Sequence, residues 1–119
     1  MPNIDDHARK FKHNCELLNS QELGKVENID WAVTLTFYAA VHLIEEYFAS
    51  KQLHCKSHID RNNCMMRERT LLRYKIPPKY QTLYNQSIRA RYECVEMSAK
   101  DLEAAKEALG FIESKLKLA

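Results

Sequence analysis

Two glycines, Gly24 and Gly110, and three prolines are all the backbone punctuation this chain of 119 residues carries. That scarcity constrains the fold more than any other feature. Loops that wrap a phosphate need two or three glycines close together, so the dinucleotide fingerprint, the P-loop and the kinase glycine loop are all excluded. Sandwiches and barrels of many short strands need far more turn residues than this. An all-α chain, long enough for one hydrophobic core, is what remains.

The apolar spacing agrees. Ile4, Ala8, Phe11, Cys15 and Leu18 step by four and three, the mark of one helix face. After a break at Gly24, Asp30 reads as the N-cap of a second helix running to about Ser50. Val33, Phe37, Ala40, Val41, Ile44 and Phe48 form a broad stripe on it, and Trp31, Leu35 and Tyr38 form another. A helix apolar on two sides belongs in the middle of a bundle. Residues 51–58 read as a connection. Ser57 then caps a third helix carrying Ile59, Met65, Met66 and Leu71 or Leu72. Ile76-Pro77-Pro78 ends it, and Pro78 suits the first turn of a fourth helix with Tyr80, Leu83, Tyr84, Ile88 and Val95 on one face. Ser98 and Asp101 have capping-box spacing ahead of a last helix, on which Leu102, Ala105, Leu109, Ile112 and Leu116 make a seam. The expectation is a single domain over residues 1–119, an up-and-down bundle of four to five helices. The polar breaks Thr34, Thr36, His42, Glu45 and Glu46 keep the longest apolar stretch from spanning a bilayer. The first residues contain no secretory h-region. Cys15, Cys55, Cys64 and Cys94 are therefore expected as free thiols in a cytoplasmic protein.

Charge is unevenly spread. Between residues 51 and 91 stand ten Lys and Arg against Asp60 and Glu68, a net +8, whereas the rest of the chain nets −6. Tyr74, Tyr80, Tyr84 and Tyr92 are interleaved with the basic residues. A basic segment with aromatics is how a protein meets nucleic acid, the cations taking phosphates and the rings taking bases. Lys56, Arg61, Arg67, Arg73, Arg89, Arg91 and Tyr92 are the candidate contacts. The same charges also suit solvated helices, or docking on an acidic protein surface. Arg91 projects between Tyr80 and Tyr84 on the apolar stripe, while Arg89 points to the other side. A guanidinium there must find a carboxylate, such as Glu45 or Glu46, or an anionic ligand.

Catalytic signatures are sparse. His58 and Arg61, one helical turn apart in positive surroundings, are the candidate catalytic pair for a metal-independent phosphodiester cleavage. His42, Glu45 and Glu46 have helical spacing but no matching set on a second helix. His54, Cys55, His58 and Cys64 fit no paired-ligand zinc pattern. No metal and no cofactor are expected.

Asp30-Trp-Ala-Val-Thr-Leu-Thr-Phe-Tyr-Ala-Ala-Val-His42 resembles the second helix of HEPN-domain proteins. Similar likeness extends through Leu53–Arg61, Leu83–Tyr92 and Ser98–Lys106, so that it covers roughly residues 5–116. The resemblance implies a helical bundle, commonly homodimeric, in RNA-binding or RNA-cutting components of prokaryotic toxin–antitoxin and antiviral systems, some partnered by a small nucleotidyltransferase. The family's ribonucleases carry an arginine, then four to six intervening residues, then a histidine; Arg9 and His13 have only three between them and lie in the first helix. Here the histidines are His7, His13, His42, His54 and His58, and none follows Arg61 or any later arginine. The expected function is therefore RNA association without that motif, with a divergent ribonuclease using His58, Arg61 or Arg91, or a nucleotidyltransferase partner, as alternatives.

Overall fold

At the N-terminus Asn3 and Asp6 each accept from the other's backbone N–H, a reciprocal cap that starts α1 (Ile4–Leu18). The computed structural model describes residues 2–93 and 95–118; Cys94, one of the four thiols, lies outside them. Among the described residues the chain forms six α-helices and no strand: α1, then α2 (Ile29–Ser50), α3 (His58–Arg67), α4 (Arg69–Arg73), α5 (Ile76–Tyr92) and α6 (Ala99–Leu116). No helix is long and apolar enough to cross a membrane among them.

The central position of α2 follows from its composition. Val33, Phe37, Ala40, Val41, Ile44 and Phe48 are all buried, and α1, α5 and α6 pack around it. Ala32, Ala39 and Ala40 allow close approach, and the buried Thr36 hydroxyl donates to Ala32 O at 2.7 Å, so it needs no partner outside its own helix. The second stripe behaves differently from expectation: Leu35 is half-buried, Tyr38 is exposed and Trp31 is 68% exposed. Asp30 sits inside the first turn rather than at the cap. A short 3-10 turn at Val26–Asn28 leads into the helix, and Asn28 makes no side-chain cap.

α1 is rolled relative to its apolar stripe. His7, Asn14 and Leu18 face inward, while Ala8, Phe11 and Cys15 are half-buried and Ile4 is exposed. The reason is polar: His7 Nδ1 meets His42 Nδ1 of α2 at 3.0 Å, one imidazole donating to the other. That roll leaves Ile4, Ala8 and Phe11 lining a groove of about 400 Å³ with Leu43, Tyr47 and Leu116.

One expected helix is two. Ser57 caps α3 by accepting from Asp60 N, but Glu68 is extended (φ −88°, ψ 108°) and its carboxylate accepts from Thr70 N, capping α4 afresh. Lys75 then takes a left-handed conformation (φ 60°) and α5 begins at Ile76, with Pro77 and Pro78 in the first turn where their missing N–H is not needed. Tyr80 and Leu83 are fully buried. Val95 lies beyond the end of α5 and is exposed, so it does not belong to that face. The Ser98–Asp101 capping box forms as its spacing predicts, and Ala105, Leu109 and Ile112 are buried with Ala108.

Candidate nucleic-acid interface

The first turn of α3 meets the middle of α5, at Tyr80 and Tyr84, over Phe37 of α2. His58, placed there by the Ser57 cap, stacks on Tyr84 of α5 with centroids 3.8 Å apart and planes 12° from parallel. Phe37 of α2 meets the imidazole edge-on at 6.3 Å. His58 Nδ1 is buried and has no hydrogen-bond partner among the described residues. Burial, then the positive charges of Arg61 and Arg91, pull the His58 pKa below the ordinary imidazole value, which favours the neutral ring.

Arg91 occupies an aromatic cage. Its guanidinium lies 5.0 Å from the Tyr92 ring centroid, 5.6 Å from that of Tyr38 and 6.0 Å from that of Phe37. Nε donates to Ser87 O and Nη2 to Ser87 Oγ, both at 3.2 Å, while Nη1 donates to the Tyr38 hydroxyl at 3.0 Å. No carboxylate stands within ion-pair distance of Arg91 among the described residues. The orientation is fixed and the geometry satisfied, yet the charge is not neutralised. An anion approaching the open side of this cage would meet a guanidinium already held in place.

Arg61 is arranged in the opposite way. Its Nε donates to Glu45 Oε1 at 2.5 Å and its Nη1 to the Tyr80 hydroxyl at 3.4 Å; the Arg61 and Glu45 side chains are only 14% and 7% exposed. The carboxylate that could have met Arg91 is taken by Arg61. Arg89 turns toward α6, 3.7 Å from Asp101, and also donates to Gln86. Lys56 precedes the α3 cap, Arg67 closes α3 and Arg73 closes α4. All three are exposed, and none joins an ion pair among the described residues. Tyr92 is 67% exposed, with one face toward Arg91.

The structure thus gathers His58, Arg91 and Tyr92 with Tyr38, Phe37, Tyr84 and Ser87, while Arg61, one turn from His58 on α3, has its charge paired with Glu45. Sequence reasoning placed Tyr84 on a core stripe and gave Phe37, Tyr38 and Ser87 no part in the site. Ser87 precedes Arg91 by one turn of α5, a legible signal. The approach of Tyr38 from α2 carries no comparable signal. Among the described residues no three His, Cys, Asp or Glu side chains converge on a point that could hold a metal. The chain matches no family model, no curated protein and no solved structure.

Proposed function

We propose that this chain is a HEPN-like, RNA-associated binding module, homodimeric and working in a prokaryotic toxin–antitoxin or defence setting. One observation carries the binding reading: Arg91, held by Ser87 and Tyr38 and ringed by aromatics, has no carboxylate partner among the described residues. A phosphate supplies the missing negative charge, and the exposed Tyr92 ring beside it offers a face to a base. The +8 segment that contains Arg91 adds the long-range attraction. Paired native and denaturing gels with labelled single-stranded RNA test this, without added metal. A retarded band with intact RNA is expected, and Arg91→Ala should weaken binding by about tenfold, or ~1.4 kcal/mol. Undiminished binding by an Arg89→Ala/Arg91→Ala double variant would sink the assignment. Light scattering at tens of micromolar tests the dimer.

The His58 pKa, pulled down by burial and then by Arg61 and Arg91, favours a second reading, a metal-independent ribonuclease. In it His58 takes the proton of a ribose 2′-hydroxyl and Arg91 stabilises the developing phosphorane charge. RNA cleavage that His58→Ala abolishes would establish it.

A further inference from the structure

The connection between α2 and α3 folds back on α3 instead of trailing away from it. Gln52 takes a left-handed conformation (φ 62°) and Leu53 N closes back onto Phe48 O at 2.9 Å. Lys56 N donates to Asp60 Oδ2 at 3.0 Å, which holds the incoming strand of chain against the face of α3 that carries Asp60. Cys64 lies one turn further along that same face. Cys64 is among the groups that raise the Cys55 thiol, and both are half-buried against the main core cluster. Both are free thiols. Cys15, the remaining described cysteine, stands apart on α1 beside Glu113 of α6.

We propose that Cys55 and Cys64 are a dithiol pair that closes reversibly into an intramolecular disulfide, fastening the α2–α3 connection to the flank of α3. The ring so formed runs from 55 to 64 and contains Lys56, His58 and Arg61, so its closure changes the freedom of the segment that positions the His58 stack. The oxidant is a small-molecule disulfide such as oxidised glutathione. One protein thiolate attacks it, a mixed disulfide forms and one small thiol leaves. The second protein thiolate then displaces the second small thiol. Two protein thiols are oxidised, one external disulfide is reduced, and the two thiol protons end on the two small thiols that leave. Burial first, then Glu45, Cys64 and Asp60, push the Cys55 thiol up, so it ionises late and closure accelerates as pH rises. None of this depends on RNA.

The test is a peptide map of the folded full chain after incubation with oxidised glutathione and alkylation of remaining thiols. The expected result is a linked Cys55–Cys64 peptide that dithiothreitol releases, that forms faster at pH 8.5 than at pH 7, and that survives Cys15→Ser. Cys55→Ser and Cys64→Ser should each abolish it. The wild-type map reads the pairing directly, so the outcome stands even where a serine variant folds poorly. Full alkylation of both thiols, a glutathione adduct that never resolves, or linkage to Cys15 or Cys94 instead would each overturn the pairing.

Discussion

Two arginines from one basic segment end in contrasting surroundings. At the junction of α2, α3 and α5, Arg61 is buried against Glu45 and Tyr80, with its charge cancelled inside the chain. At the end of α5, Arg91 is equally well oriented, but by neutral groups: a serine, a tyrosine hydroxyl and three rings. Taking a guanidinium out of water without a counter-charge is costly, and Arg61, with its side chain 14% exposed, has a carboxylate, whereas Arg91 is held by neutral groups alone. The first arrangement holds helices together. The second leaves a fixed positive charge at the surface, which is what a ligand site requires and what stability alone does not.

The contrast breaks most visibly at Glu45. Glu45→Ala leaves Arg61 buried without its partner and should cost about 3 kcal/mol, read as a lower urea midpoint. A Glu45→Leu/Arg61→Met double variant should recover most of that loss, because the pair is then replaced by packed apolar groups. Equal destabilisation by the double variant would show that the hydrogen-bond geometry, and not the unpaired charge, sets the cost.

A second partnered contact, His7 with His42, gives a pH signature. Burial, followed by His7, Lys10 and Arg61, depresses the His42 pKa to about 4 from the ordinary 6.5. The unfolded chain therefore binds a proton that the folded chain refuses between those values. Stability present above about pH 6.5 is lost as pH falls toward 4, by about 2 kcal/mol once solvent screening is discounted. Denaturation midpoints measured from pH 7 to pH 4 should fall along that window, and His42→Gln should flatten the slope. The His58 shift has the same direction and adds to it.

At Arg91 the expectation reverses. Arg91→Ala should change stability by less than about 1 kcal/mol, the size of a partly solvated cation–π contact, while RNA affinity falls. A stability loss matching that of Glu45→Ala would erase the distinction between the two regions. The smallest effect belongs to Arg89→Ala. Its contact with Asp101 is long, at 3.7 Å, and partly solvated, and should contribute under about 0.5 kcal/mol, which thermal melts in low and high salt would resolve.

Helix identity was legible in the residues because capping and glycine scarcity are local. Ser57 and Ser98 each accept from the backbone N–H three residues on, as their spacing predicts, whereas Asp30 sits inside its helix and the Asn3 cap was not anticipated. The break at Glu68 was not legible, since Arg67-Glu68-Arg69 contains no residue that forbids a helix. It is an extended backbone at one position that divides α3 from α4. The roll of α1 was hidden for a similar reason: its apolar periodicity favours Ile4, Ala8 and Phe11, and a histidine pair with α2 outweighs it.

The site divides along the same line. Residue order alone placed Arg91 on an apolar stripe where it needed a carboxylate or an anion, and singled out His58 within the basic segment. It left open which arginine would meet Glu45, because a helix period says which residues share a face and nothing about which face of another helix arrives opposite. Packing of α3 and α5 over α2 decided that Arg61 takes Glu45, that Tyr38 reaches Arg91, and that Tyr84 carries His58. Local propensity acts over a few residues and is written in their order, whereas the pairing of charges between helices depends on how whole faces settle against one another.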